Sequence, residues 1–296
     1  MKYKLLATDM DGTLLDDGKN LSEKNIIALR TAHQQGMEVA LCTGRPFHTV
    51  EPYLKQIGIK CWLITNNGAV IRNPKKEIMN SHYIDEKSLV QILEILAKKP
   101  SLYFHGSNER CTYVKSRWSR FGNLYRFERK SQKNHLRSLR RALQAAWFTS
   151  TYQVVNFEKF VEQGYRMTNL IVISSNHHLL EAKKQQLKEV PDIFVTRSGN
   201  DNMEILNRDA TKGNALKILA NKLNLSPERI VAIGDHDNDL SMIEYAGMGI
   251  AVENATESLK KNADLVVCGN NNDALSCALE AVSHEWINFK SRICEE

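Results

Sequence analysis

No stretch of this sequence approaches the roughly 20 consecutive apolar residues of a membrane-spanning helix, so no membrane association is expected. The N-terminus, Met1-Lys2-Tyr3-Lys4, lacks the apolar segment and small-residue cleavage site of a secretory leader, and a cytoplasmic location is the expectation. The six cysteines (Cys42, Cys61, Cys111, Cys268, Cys277 and Cys294) show no C-x-x-C spacing. That argues against zinc sites and redox pairs, and buried free thiols are expected rather than disulfides. Low-complexity tracts and internal repeats are also missing, which excludes solenoids and long flexible linkers. What remains is 296 residues, 42% hydrophobic and 25% charged, an ordinary globular composition with room for two domains.

The charge is unevenly spread. Residues 85–207 hold 20 Lys and Arg against 12 Asp and Glu, a net +8, while the remainder is net −2. A basic middle segment is thus set into a slightly acidic frame. Such a segment can attract nucleic acid or a small phosphorylated substrate, or be the solvated faces of helices. Arg137, Arg140 and Arg141 stand at helical spacing on a polar face, where solvation is the expected role. No nucleic-acid recognition motif accompanies them.

Near the start, Leu5-Leu6-Ala7-Thr8 runs into Asp9-Met10-Asp11-Gly12-Thr13. An apolar strand thus ends in two carboxylates one residue apart. Strand alternation sends both side chains of such a pair to one face. There they repel, unless a cation or a shared proton offsets the cost. A divalent metal, with one carboxylate free to attack phosphorus, accounts for the arrangement; an exposed Asp-Gly turn is the plainer reading of the motif alone. A calcium loop is excluded, because Gly12 comes two places early and the twelfth position is Asn20. The segment Asp235-His236-Asp237-Asn238-Asp239 also fails that pattern, with Leu240 where glycine is required and Ala246 where Glu belongs.

The pattern of elements puts these residues in context. Residues 3–8 read as a strand, 22–35 as a helix with Ser22 as N-cap and Gly36 as stop, and 37–43 as a buried strand. A helix follows from about residue 46, then a strand over 61–65 that ends at Asn66-Asn67-Gly68. Alternation resumes after residue 208: helix 212–221, strand 229–233, helix 240–245, strands 248–252 and 264–267, and a helix over about 273–282. Strands alternating with helices imply a parallel sheet, whose ligands bind beyond the carboxyl ends of the strands. Asp9, Thr43 and Asn66 all fall there. Between the two halves, helices over 88–98, 133–146 and 178–189 alternate with strands over 101–105, 112–114, 167–174, 193–197 and 202–206. That pattern suggests an α+β module with an antiparallel sheet. The expected architecture is an α/β, Rossmann-like parallel-sheet core, residues 1–84 and 208–296, with an inserted α+β cap, residues 85–207.

Four segments point to one chemistry, namely Asp-Met-Asp-Gly-Thr at 9–13, Thr-Gly-Arg at 43–45, Thr-Lys-Gly at 211–213 and Gly-Asp-x-x-Asn-Asp at 234–239. In this order they resemble the four motifs of the haloacid dehalogenase-like hydrolase superfamily. The place of the insertion is similar to that of its Cof-type branch. The resemblance covers essentially the whole chain and implies a phosphoric monoester hydrolase. In that family's pattern Asp9 is the nucleophile, forming an aspartyl-phosphate. Asp11 protonates the leaving oxygen and then deprotonates water. The implied cofactor is Mg2+, held by the Asp9 carboxylate, the Asp11 backbone carbonyl and the Asp235 carboxylate, with Asp239 orienting that set. Phosphate binding is implied for Met10, Thr43, the Gly44 amide, Lys212 and Asn238. Arg45 and Asn67 are candidate substrate contacts or, equally, turn residues. His236 stands where a small residue is common and reads as a surface turn residue. Glu253 replaces a frequent glycine without removing a ligand.

The expected substrate is a small phosphorylated metabolite, a sugar phosphate or phosphorylated cofactor, with no nucleic acid and no obligate protein partner. A phosphomutase is the alternative within the family, and a non-catalytic binding module the alternative outside it. The cap is expected to select substrate, with loops near residues 107–120 or 197–202 facing the leaving group. Hinges are expected near 84–85 and 207–209.

Overall fold

The computed structural model describes residues 2–98, 102–131, 135–147, 151–196 and 201–282. The chain opens with β1 (Leu5–Thr8), every residue of it buried. Helix α1 (Glu23–Gln34) starts where the Ser22 side chain accepts the Asn25 amide and ends at Gly36, whose φ is 83°. Then follow β2 (Glu38–Cys42), α2 (Phe47–Ile57) and β3 (Trp62–Thr65). Two short strands that the sequence reading did not anticipate come next, β4 (Val70–Arg72) and β5 (Ile78–Ser81). They pair antiparallel to β3 and to each other, so the core sheet is mixed at this edge.

The middle of the chain forms α3 (Glu86–Ala97), β6 (Tyr103–Ser107), β7 (Thr112–Val114), α4 (Arg117–Ser131), α5 (His135–Trp147), β8 (Tyr152–Val154), β9 (Asn169–Ile173), α6 (His177–Leu187), β10 (Ile193–Thr196) and β11 (Asn202–Asn207). The sheet order is β10-β11-β9-β6-β7-β8, antiparallel except for the β7–β8 pair. Leu170 and Val172 of β9 pack with Ile92 and Leu96 of α3 and Leu180 of α6 in a second apolar core. Two expectations are corrected here. The supposed leaving-group loop at 107–120 contains strand β7 and the first turn of α4. Helix α4 itself was not foreseen, because Arg117, Arg120, Arg126 and Arg129 interrupt its aromatic residues in the sequence; in the structure Trp118, Phe121 and Tyr125 pack ring to ring along one face, and Trp118 and Phe121 also meet Trp147 of α5. The other proposed loop lies largely at 197–200, outside the described residues. Arg137, Arg140 and Arg141 are exposed on α5, where Arg141 pairs with Glu128 at 3.7 Å.

The return half gives α7 (Lys212–Lys222), β12 (Ile230–Gly234), α8 (Leu240–Tyr245), β13 (Met248–Val252), α9 (Glu257–Asn262) and β14 (Leu265–Val267), then helical residues 274–282. The core sheet runs β14-β13-β12-β1-β2-β3-β4-β5, parallel from β14 to β3. Leu5, Leu6, Val39, Leu41, Val231 and Ile233 are fully buried in it, each worth about 1.5–3 kcal/mol of burial. By contact density the chain divides into two compact units, Met1–Ser81 with Ala210–Glu296, and His82–Asp209.

The cysteine expectation is also corrected. Cys42 and Cys61 are buried free thiols, and Cys111 is free and half-buried. Cys268 and Cys277, however, form a disulfide. A tight turn at Asn270–Asn272, followed by Asp273 in the left-handed region (φ 61°), reverses the chain and brings the two Cα atoms to 6.4 Å. Cys294 lies outside the described residues.

Candidate active site

The four central parallel strands β12, β1, β2 and β3 end on the same side of the core sheet. The residue after β1 is Asp9, after β2 Thr43, after β3 Asn66 and after β12 Asp235. Their side chains therefore gather at one sheet end, as the parallel topology requires. Asp9 is 5% exposed. Its Oδ1 accepts from the Lys212 ammonium at 2.6 Å, while Oδ2 is buried without a hydrogen-bond partner. Lys212, 1% exposed, is the first residue of α7, a helix capped by the Thr211 hydroxyl. It donates also to Asp239 Oδ1 at 2.6 Å. The other oxygen of Asp239 accepts the amides of Asp235 (3.0 Å) and His236 (3.1 Å). With both oxygens so used, Asp239 shapes the Asp235 turn rather than offering a free ligand atom. Asp235 accepts the Thr13 hydroxyl at 3.3 Å.

Carboxylate oxygens of Asp9, Asp235 and Asp239 lie within 4.8 Å of one another. Among the described residues, Lys212 is the one cation hydrogen-bonded to this group. Burial alone would lower its pKa, but Asp239 and Asp9 outweigh that and hold it charged. Burial, together with repulsion from Asp239 and Asp235, pushes the Asp9 carboxyl well above its usual range despite Lys212. Burial and Asp239 likewise raise Asp235 to about 6. Three crowded carboxylates, one ammonium and an orphaned buried oxygen make a donor set of hard oxygens short of positive charge. A divalent cation such as magnesium fits it.

Gly12 makes the crowding possible. Its φ is 83°, and a Cβ there would stand 2.4 Å from Asp235 Oδ2. Only glycine tolerates both conditions, which accounts for the Asp-x-Asp-Gly pattern.

Asp11 faces elsewhere. Arg45 grips it with a two-pronged fork, Nε to Oδ2 at 2.5 Å and Nη2 to Oδ1 at 2.7 Å, and the Lys19 ammonium lies 2.9 Å from Oδ1. Burial would raise the Asp11 pKa, but the hydrogen bonds from Arg45 and Lys19 prevail and lower it. Thr43 is 1% exposed, and its hydroxyl accepts the Arg45 amide at 3.1 Å. Gly44 lies against Asn67, to whose Oδ1 Asn238 donates at 2.9 Å. Asn66 and Asn67 both take left-handed backbone (φ 51° and 55°), a conformation that asparagine tolerates better than most residues. Met10 has its side chain fully buried in the core, so only its backbone is left to face a phosphate. His236 is exposed at the N-cap of the turn holding Asp237–Asp239. Of the residues singled out in the sequence, Asp9, Lys212, Asp235 and Asp239 thus form one cluster, Asn67 and Asn238 a second, and Asp11 with Arg45 a third.

Other contributors were not visible in the sequence. Asn254 donates to the Gly12 carbonyl at 2.8 Å, and the Thr256 amide donates to the Asp235 carbonyl at 2.9 Å. Lys19 and Tyr53 join the Asp11 cluster. None of the four stands in a motif. A cavity of about 550 Å³ beside α1, lined by Tyr3, Ile27, Met37 and Leu279, includes none of the site residues.

The family model for haloacid dehalogenase-like hydrolases matches residues 6–279. The chain belongs to this family. It is 35% identical over 272 residues to the phosphatase YwpJ of Bacillus subtilis, covering 90% of this chain and 95% of that protein. It is 29% identical to a 5-amino-6-(5-phospho-D-ribitylamino)uracil phosphatase, YwtE, of the same organism, covering 92% and 96%. Its fold is similar to that of a haloacid dehalogenase-like hydrolase from B. subtilis, with a TM-score of 0.77, 32% identity and coverage of 95% and 99%. Membership makes the chain a hydrolase. The phosphoric monoester hydrolase class expected from its motifs agrees with the names of these relatives. No helix among the described residues is long and apolar enough to cross a membrane.

Proposed function

We propose that this chain is a magnesium-dependent phosphatase of small phosphorylated metabolites that works through an aspartyl-phosphate on Asp9. The observation that carries the reading is Asp9 Oδ2, a buried carboxylate oxygen with no partner beside the Asp235–Asp239 turn. An oxygen kept so is available to attack phosphorus, while Lys212 holds its twin. Magnesium would be held by Asp9 and Asp235 with the Asp11 backbone carbonyl. When bound, it neutralises charge on the phosphoryl oxygens and the carboxylates.

The chain's own residues supply the rest. Lys212 screens the phosphoryl charge and keeps Asp9 from rotating. Asp239 fixes Asp235 through the two turn amides. Thr43, the Gly44 amide, the Met10 backbone and Asn238 offer hydrogen bonds around the phosphoryl group. Asp11 gives a proton to the departing oxygen and later takes one from water. The His82–Asp209 unit, with its excess of basic residues, serves as a cap that selects anionic substrates. The YwtE relative, whose name specifies a phosphorylated small molecule, supports the substrate class.

The test uses 4-nitrophenyl phosphate. Chelator should abolish its hydrolysis and magnesium should restore it, and acid quenching should trap phosphate on Asp9. Turnover unchanged after verified metal removal would overturn the proposal. A bisphosphate intermediate would identify a phosphomutase instead.

A further inference from the structure

Tyr53 of α2 lies outside every motif, yet its hydroxyl joins the two cations on Asp11. It accepts from Arg45 Nη1 at 3.1 Å and donates to the Lys19 carbonyl at 3.0 Å, using both of its hydrogen-bonding functions. The Arg45 guanidinium also lies 5.2 Å from the Tyr53 ring centroid, within cation–π range. All three guanidinium nitrogens are therefore engaged, two on Asp11 and one on Tyr53. Their planar fork fixes the orientation of the carboxylate it holds.

Lys19 is held from the other side. It occupies left-handed backbone, φ 63°, in a turn closed by the Lys19 amide on the Asp16 carbonyl (2.9 Å) and the Asp16 amide on the Asn20 carbonyl (3.0 Å). A lysine keeps that conformation only where its surroundings enforce it. The turn presents the Lys19 carbonyl to Tyr53 and returns its ammonium to Asp11 Oδ1.

We infer that Tyr53 is a positioning residue for the proton-transfer step: through Arg45 and the Lys19 turn it sets the one resting orientation from which Asp11 moves to the leaving oxygen and to which it returns. This rests on the phosphatase reading above. Both Asp11 oxygens are occupied in the fork, so Asp11 must release at least one contact to handle a proton. Tyr53 then retains Arg45 and the Lys19 turn in register while Asp11 moves, and Asp11 returns to the same place.

The experiment compares the whole chain with its Tyr53→Phe variant, with magnesium saturating, on 4-nitrophenyl phosphate and on 2-glycerol phosphate. Phenylalanine keeps the ring and removes only the hydroxyl. The quantity read is kcat/KM, which covers the steps up to departure of the alcohol. Nitrophenolate leaves without a proton, whereas the glycerol alkoxide needs one from Asp11. For glycerol phosphate kcat/KM should fall about five- to tenfold, because the hydroxyl's two hydrogen bonds act on Asp11 only through Arg45 and Lys19 and part of their loss reaches the proton transfer. For the nitrophenyl ester it should stay within about twofold, which also certifies that the variant is folded. Equal losses on both esters, or none on either, would overturn the positioning role while leaving the phosphatase reading intact. A wild-type chain that hydrolyses neither ester, or an Asp9→Asn variant as active as wild type, would overturn both.

Discussion

Lys212 Nζ stands 2.6 Å from Asp9 Oδ1 and 2.6 Å from Asp239 Oδ1, so one ammonium joins a residue after β1 to one after β12. Replacing it by methionine keeps much of the volume and leaves two buried carboxylates unpaired. Breaking a buried ion pair in this way costs about 3–5 kcal/mol. Lys212→Met should show that loss in urea unfolding of the metal-free protein. Its kcat on an aryl phosphate should drop by about 10²–10³-fold, as expected when a preorganised charge is removed from a reaction centre. Retention of wild-type stability would mean that the ammonium is dispensable to the fold.

The two aspartates of the first motif should fail differently. Asp9→Asn keeps the shape and removes the proposed nucleophile, so no phosphorylated protein should accumulate and turnover should vanish, with circular dichroism unchanged. Asp11→Asn should still accumulate phosphate on Asp9 from an aryl ester, with overall turnover down about 10²–10⁴-fold. Rapid-quench labelling separates the two. Near-normal turnover by Asp9→Asn would require another nucleophile.

The raised pKa of Asp235 gives a signed prediction about pH. Its folded value of about 6 exceeds the ordinary 3.8, so the native state holds this proton more tightly than the unfolded chain. The group therefore costs stability progressively as pH rises from about 4 through 6, and the full cost persists above. Magnesium needs the deprotonated carboxylate, and its binding offsets that cost. A fixed magnesium concentration of about 100 times its Kd at pH 7.5 should raise Tm by roughly 4–5 °C at that pH and much less at pH 5. A magnesium effect equal at both values would count against Asp235 as a ligand.

Gly12→Ala should damage the same site from the backbone side. The new Cβ meets Asp235 Oδ2 at 2.4 Å in a φ of 83°. Magnesium affinity, read by calorimetry, should weaken at least about tenfold, since the backbone strain alone is of order 1–3 kcal/mol. Unaltered affinity would show that the two segments can part without cost to the metal.

For the proposed cap role of the His82–Asp209 unit, Arg117→Glu is a cleaner probe than Arg120→Glu. Arg117 is exposed, whereas the Arg120 guanidinium sits half-buried, 4.3 Å from the Tyr152 ring centroid, and its reversal would strain the fold. Arg117→Glu should raise KM for a large anionic substrate severalfold with little change on a small aryl phosphate. A matching fall in kcat on both would tie Arg117 to the chemical step.

What could be read from the sequence follows from periodicity and from adjacency. Strands β1, β2, β3, β12 and β13 are mostly apolar because both faces of a parallel sheet are covered, and such runs stand out. Asp9, Thr43 and Asp235 were placed correctly at strand ends because each directly follows such a run. Helix α4 escaped because Arg117, Arg120, Arg126 and Arg129 break up the aromatic face formed by Trp118, Phe121 and Tyr125, and Gly122 lowers its helical propensity. The Tyr53–Lys19 link was beyond reach for another reason. It depends on a left-handed backbone at one lysine and on the face of α2 turned toward it, and no local pattern encodes either.

The order of the core strands bears on how the chain is made. β1 lies between β2, which follows it closely, and β12, which begins at Ile230. When Ser81 leaves the ribosome, one edge of β1 still has no neighbour. At about 5–20 residues per second, its partner emerges some 8–30 s later. The His82–Asp209 unit is synthesised in that interval and can fold before the sheet around Asp9 is complete. Until then Asp9 has neither Lys212 nor Asp235 beside it, so the nascent chain carries the proposed nucleophile without the means to use it, and a ribosome stalled before residue 212 would display the His82–Asp209 unit and no reactive centre.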